Sequence, residues 1–317
     1  MSVPRVWLIT GTSSGFGRRF VTSILRRGDK VIASARNLNA IRKEEFFPQS
    51  DRLRTMQLDV SADEPTIKDK AREALSFWGR VDVLINNAGY SFKVLAEDAR
   101  WAPPSSLRVT QFQTNLYGPA ALTTALLPQM RSRKEGTIVM IGSRSSWNPI
   151  ETLSLYAASK AALRVYSESL AKELSVLYPN IRIIIVEPSG FRTEQNVLGY
   201  PFHIPANPDP VYDAMRRRTQ ELLVALDGKQ RGDPQKAVEV IIDAVRGEGV
   251  ARARLDVSSS GSGSVSPIYL PLGREANSDI EAKCAKMVEV VKTWRDVTDD
   301  LDHDGTDSVD LTRWGNN

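Results

Sequence analysis

Residues 6–17 read Val6-Trp7-Leu8-Ile9-Thr10-Gly11-Thr12-Ser13-Ser14-Gly15-Phe16-Gly17. Four apolar residues run straight into a turn with glycines at 11, 15 and 17. The run is too short for a helix and reads as a buried strand. From Gly15 the period changes: Phe16, Phe20, Ile24 and Leu25 fall on one helical face until Gly28-Asp29 breaks the pattern. A strand turning sharply into a helix leaves the first helical N–H groups free, at the positive end of the helix dipole. With no side chains at the three glycines, a pyrophosphate can reach that backbone. Thr12, Ser13, Ser14 and Phe16 complete the turn and are candidate contacts with them. A Gly-rich turn alone fits a plain tight turn equally well, so the rest of the chain must decide.

The same alternation continues. Val31-Ile32-Ala33, Leu53–Leu58, Val81–Ile85, Thr137–Ile141 and Ile181–Val186 read as strands, mostly apolar rather than alternating, which marks a parallel sheet covered on both faces. Helices are expected from Ser61-Ala62-Asp63-Glu64, a capping-box form, to Trp78 before Gly79, and over 110–131 and 154–177. The expected fold is α/β: a Rossmann-like doubly wound parallel sheet with helices on both faces, in a single domain with a C-terminal helical extension. A helix over 211–226 and another from Asp233-Pro234 to Arg246 follow. Ser258–Ser264 reads as a mobile Gly/Ser stretch. Ser278-Asp279-Ile280-Glu281 repeats the capping-box form, ahead of a stripe of Ile280, Cys284, Met287, Val291 and Trp294.

Composition narrows the possibilities. At 317 residues, 41% hydrophobic and 25% charged, the chain suits a soluble globular protein. Cys284 is its one cysteine, so no internal disulfide forms, and a reducing, cytoplasmic setting is expected. His203 and His303 are far apart, and no metal site is expected. No apolar run approaches the roughly 20 residues of a membrane span, and the first residues lack a signal-peptide pattern. The net charge of +4 divides unevenly: residues 1–295 carry 41 basic and 31 acidic side chains, a net of +10, and seven acids follow against one base. The basic residues are scattered, so no nucleic-acid partner is expected, and the run Arg216-Arg217-Arg218 reads as a solvated helix face. Asp300-Leu301-Asp302-His303-Asp304-Gly305 opens like a calcium loop, but Leu311 stands where a bidentate Glu belongs, and an acidic solvated tail is the better reading.

The chemistry lies further along. Val81–Ile85 leads into Asn86-Asn87-Ala88-Gly89. Ser143 follows the fifth strand, and Tyr156 and Lys160, four apart, share one helix face. The turn at 10–17, the Asn-Asn-Ala-Gly run, the Ser and the Tyr-x-x-x-Lys pair, in this order, resemble the short-chain dehydrogenase/reductase family. The resemblance is strong over residues 5–195. It implies that Tyr156 is the general acid or base and that Lys160 lowers the Tyr pKa and holds the nicotinamide ribose. It further implies that Ser143 binds the substrate oxygen and that Asn115 holds a water beside the lysine. Ser145 and Ser146 are less well spaced than Ser143. Asp59 and Val60 match the family's adenine contacts, Asn87, Ala88 and Gly89 lie on the adenosine side, and Thr193 matches its carboxamide ligand.

Cofactor choice is read at the end of the second strand. No acid for a ribose 2′-hydroxyl occurs from Val31 to Leu38, and Arg36, with Ser13, suits a 2′-phosphate, so NADP(H) is expected. Pro188-Ser189-Gly190-Phe191-Arg192-Thr193 departs from the family's Pro-Gly element: Ser189 replaces the usual Gly, so the backbone is either re-aimed or tolerant of a small side chain. Pro188 and Phe191 remain candidate nicotinamide neighbours. Trp101, Trp147, Phe191, Tyr200 and Phe202 either line a substrate pocket or simply pack, and packing is the commoner case for each.

The resemblance implies a catalytic domain over 1–255 with a substrate lid over about 194–232, then a flexible segment, helix and acidic tail over 256–317. The implied activity is NADP(H)-dependent interconversion of a medium-to-large apolar ketone and its alcohol, as a homodimer or homotetramer acting on a small-molecule substrate. An epimerase or dehydratase, or a non-enzymatic NADP(H)-binding regulator, are the alternatives.

Overall fold

The computed structural model describes residues 3–42, 46–99, 107–194, 202–254 and 267–301. Seven strands form one sheet: β1 Val6–Ile9, β2 Lys30–Ala35, β3 Leu53–Gln57, β4 Val83–Asn86, β5 Gly136–Ile141, β6 Ile181–Pro188 and β7 Ile268–Leu272. Their order is β3-β2-β1-β4-β5-β6-β7, and every pairing is parallel. The order reverses between β1 and β4, the place where open α/β sheets leave a crevice at their strand ends.

Both faces of the central strands β1, β4 and β5 are buried, as their apolar runs require. Alternate residues serve opposite layers: Trp7 and Ile9 join one core with Phe20, Ile24, Val238 and Ile241, while Val6 and Leu8 join the other with Leu122, Leu126 and Leu170. The first layer is built by helices α1 (Gly15–Arg26) and α7 (Pro234–Arg246), the second by α2 (Glu64–Trp78), α4 (Gly118–Arg133) and α5 (Ser154–Leu177). Between α2 and α4 lies α3 (Leu107–Phe112), and α6 (Asp213–Leu226) and α8 (Arg274–Thr298) follow later in the chain.

Several expectations change. The single helix over 110–131 is α3 and α4 joined by a π-turn over Gln113–Tyr117. The cap of α2 is Asp63, not Ser61: its carboxylate accepts from Thr66 N at 2.9 Å, while Ser61 donates to Asp59. Ser278 caps nothing, because α8 already begins at Arg274, four residues earlier. The boundary at residue 255 falls short of the sheet, since β7 pairs with β6 from Ile184↔Ile268 to Pro188↔Leu272. Its sequence, Ile268-Tyr269-Leu270-Pro271-Leu272, carries a Pro, which an edge strand tolerates. Arg216 is not solvated: it is 3% exposed and forms a bidentate pair with Asp98 at 2.7 and 2.9 Å, whereas Arg217 and Arg218 are exposed as expected. The Gly/Ser stretch at 258–264, Trp101, Tyr200 and nearly all of the calcium-like loop lie outside the described residues.

Candidate active site

A cleft of about 650 Å³ opens along the carboxyl ends of β1 to β6. The Gly-rich turn forms its floor. Gly11 and Gly15 have φ of +70° and +56°, a region costly for other residues. Gly17 is required for another reason: a Cβ there would stand 2.2 Å from the Gly11 carbonyl oxygen. Asn87 braces the turn, donating from Nδ2 to the carbonyls of Thr10 and Gly11 at 2.8 and 3.1 Å. Thr10 Oγ1 accepts from the N–H groups of Asn87 and Ala88, tying β4 to β1. Thr12 and Gly17 are buried beneath the cleft surface, while Gly11, Ser13, Ser14, Gly15 and Phe16 line it.

The start of α1 is an anion site. Ser14, its cap residue, makes no side-chain capping bond, and the first turn carries no acid. The Glu194 carboxylate lies there, accepting from Gly15 N and from Arg19 Nη1, both at 2.9 Å. Burial pushes Glu194 up, but Arg19 and the Gly15 N–H outweigh it and hold it at about 2. A side-chain anion thus stands where a phosphate oxygen would bind. With the Gly11–Gly17 cradle, it shows that the residues present fit a dinucleotide.

Arg36 and Asn37, exposed at the end of β2, line one end of the cleft, with Asp59 and Val60 beyond β3. Ala88 and Gly89 line its centre. Pro188, Phe191 and Thr193 line the far side, where Phe191 packs edge-on against Phe16 at 5.1 Å. Ser189 has no left-handed backbone, and its side chain lies close against Gly273, where a Cβ would stand 2.1 Å from Ser189 Oγ. Its N–H donates to Leu272 O, so β7 supports this wall.

Tyr156 and Lys160 open from one face of α5 into the cleft. Lys160 is buried, and Nζ donates to Ile141 O at 2.7 Å. Burial pulls the ammonium down to about 8, while the Glu187 carboxylate works the other way. Asn115, in the π-turn, is wholly buried. It accepts from Tyr90 N at 2.8 Å and donates to Tyr90 O and Ser159 Oγ. A Cβ on Gly89 would lie 3.7 Å from both Asn115 Oδ1 and Lys160 Nζ, so the two converge on that glycine. Ser143 lies just behind the cleft surface and caps the turn at 144–146, accepting from Ser145 N at 3.2 Å.

Glu187 is the site residue the sequence reading missed. It is fully buried at the end of β6, and Oε2 accepts from Ser143 N at 2.7 Å. Gly142 makes room for it, since a Cβ there would meet Oε2 at 2.7 Å. Burial pushes Glu187 up to about 7, against the pull of the Ser143 N–H, Arg164 and Lys160. The available signal was an acid directly before Pro188, closing the apolar run Ile183–Val186. Of the five aromatics that either line a pocket or pack, only Phe191 lines the cleft among the described residues. Trp147 instead packs under Arg164 and against Tyr269, and Phe202 pairs with Lys93 away from the floor.

The family model for short chain dehydrogenases matches residues 5–198. Oxidoreductase BOA17 of Botryotinia fuckeliana is 31% identical over 245 residues, covering 75% of this chain and 83% of that one. The crystal structure of a short-chain dehydrogenase from Streptomyces avermitilis is 32% identical with a TM-score of 0.76, covering 95% of this chain and all of that one. A Burkholderia phymatum short chain dehydrogenase/reductase solved with NAD shares the fold at 18% identity and a TM-score of 0.66, covering 97% and 98%. Among the described residues no helix is long and apolar enough to cross a membrane. With the ordered motifs, the matching sheet and the cleft at its strand ends, this protein belongs to the short-chain dehydrogenase/reductase family of oxidoreductases.

Proposed function

We propose that the protein reduces a ketone with NADPH, or oxidises the matching alcohol with NADP. The observation that carries this reading is the pairing of Tyr156 and buried Lys160 on one face of α5, open to a cleft that begins at the anion site of α1. The nicotinamide, when bound, supplies or accepts the hydride. Tyr156 gives its phenolic proton to the carbonyl oxygen in reduction and takes it back in oxidation. Tyrosine ordinarily titrates near 10, and a neighbouring ammonium favours the phenolate, which is the part of Lys160. Ser143 accepts from Ser145 N and keeps its own O–H hydrogen to donate to the substrate oxygen. Asn115 fixes the Tyr90 backbone and Ser159 beside this pair, and a water there extends the proton path.

The fold itself does not choose between cofactors. The absence of an acid after β2 and the exposed Arg36 at the cleft end support NADP(H), with Ser13 as a second donor. The substrate class, medium-to-large and apolar, rests on sequence, through Trp101, Tyr200 and cleft-lining Phe191. The exposed free thiol of Cys284 agrees with a cytoplasmic setting.

A ketone screen followed by NADPH absorbance tests the reading. Tyr156→Phe should lower turnover by about 100-fold or more while cofactor binding is kept. Unchanged turnover would leave a cofactor-binding regulator as the better account. Arg36→Glu should weaken NADPH by about tenfold or more and spare NADH. Equal losses for both cofactors would overturn the phosphate assignment.

A further inference from the structure

The first turns of α8 pack against β7 and the turn at 144–146, with Ala276 wholly buried. Asp279 there takes hydrogen bonds from Arg144 and Asn148. From Glu281 onward the helix leaves the body, and every residue to its end is exposed. Yet this part is not polar. Met287, Val288, Val291, Trp294 and Val297 are between 44% and 58% exposed. An apolar stripe that starts on the body continues past its edge with nothing over it among the described residues.

The spacing says what covers it. Ile280, Cys284, Met287, Val291, Trp294, Thr298 and Leu301 are separated by alternating steps of four and three. Kept up along the helix from Ile280 to Thr298, with Leu301 just past its end, that is the seam of a helix meeting another helix lengthwise. A solvated helix has no reason to keep it. Charge chooses the partner and its direction. Laid antiparallel on a second α8 about Glu289, Met287 meets the partner's Val291, and Cys284 meets the partner's Trp294. Val288 and Val290 each meet their own copies at the flanks. The same register sets Glu281 opposite the partner's Arg295, and by symmetry it does so twice. A parallel pair would instead bring Arg295 beside the partner's Val290, with no carboxylate opposite it.

We propose that the exposed part of α8 is a self-association surface, on which two copies of this chain pair antiparallel through the 280–298 stripe. Glu281 and Arg295 are fourteen residues apart, so on one helix about 21 Å separates them at ~1.5 Å per residue. Any coupling between them is therefore between chains. Among the described residues of its own chain Arg295 reaches Asp299, at 3.7 Å. The surface is separate from the catalytic cleft, and the inference does not depend on the proposed reaction.

Sedimentation of the full chain and of charge variants tests it, with thermal melts confirming that these exposed positions leave the fold intact. Glu281→Arg and Arg295→Glu should each raise the association constant's midpoint concentration about tenfold, since each turns two attractive pairs repulsive. The double variant should restore it. Under oxidation, Val288→Cys in a Cys284→Ser background should cross-link two chains, whereas the native Cys284 should not. A wild-type mass of one chain, a mass indifferent to both single charge variants, or failure of the double variant to restore association would overturn the proposal. Cross-linking through native Cys284 would do so as well, because it belongs to the parallel arrangement.

Discussion

Glu187 and Lys160 place two opposite ionisable groups in the wall behind Ser143. Water is excluded from both, which raises the carboxyl to about 7 and lowers the ammonium to about 8. Each charge supports the other. Glu187→Gln keeps an acceptor for the Ser143 N–H but removes that support, so Lys160 should lose its proton at lower pH. The alkaline limb of the proposed reductase rate should shift downward in pH, and a pH–rate profile with an unmoved limb would sever Glu187 from the lysine. Stability carries a second sign. An unfolded Glu titrates near about 4.3, so between that and about 7 the folded protein holds a proton that the unfolded chain lacks. This contribution is complete at low pH and is lost as pH rises through about 7. Urea melts of Glu187→Gln should lack it.

α6 shows how one buried contact positions a whole element. Its exposed face bears Arg217 and Arg218, but Arg216 turns inward to Asp98, with both side chains 4% exposed. Tyr212, just ahead of the helix, donates to Glu97 at 2.6 Å. The element after the cleft is thereby fastened to the segment that follows β4. Breaking an ion pair from one side destabilises because the remaining charge stays in place unpaired. Here Asp213 and the Asp209 carbonyl also hold Arg216, which softens the loss. Asp98→Ala should therefore lower the urea midpoint and speed proteolytic cutting around α6. Cutting unchanged from wild type would mean that the helix is held elsewhere. The run of three arginines could not reveal this, since a charged triplet reads the same whether or not one member has a distant partner.

The sheet does not end where its regular alternation ends. β7 arrives more than 20 residues after α7 and adds to the β6 edge, with Leu272 buried and Ser189 N donating to its carbonyl. Removing everything after residue 254 should expose the β6 edge and unpack the wall that holds Ser189. The expected outcome is loss of soluble, cooperatively melting protein. Cutting after Glu281 removes no buried residue among the described ones and should leave melting and cofactor binding intact. Equal behaviour of the two truncations would deny β7 its structural part.

The parallel sheet, the order of its first six strands along the chain, α5 from Ser154 to Leu177 and the Tyr156–Lys160 pair were all legible from residues alone. They rest on local physics: runs of apolar residues, one-turn spacing, and glycines where the backbone must turn. Other features depended on partners far away in sequence. Glu187 acquires its meaning from Ser143, 44 residues earlier, and Arg216 from Asp98, 118 residues earlier. Asp63 caps α2 in place of Ser61 because Ser61 is engaged with Asp59. β7 is short, carries a Pro and follows no periodic pattern, so only the open edge of β6 makes it a strand. Burial, long-range pairing and sheet edges belong to the folded chain, because they are properties of pairs of segments that no single stretch of sequence contains.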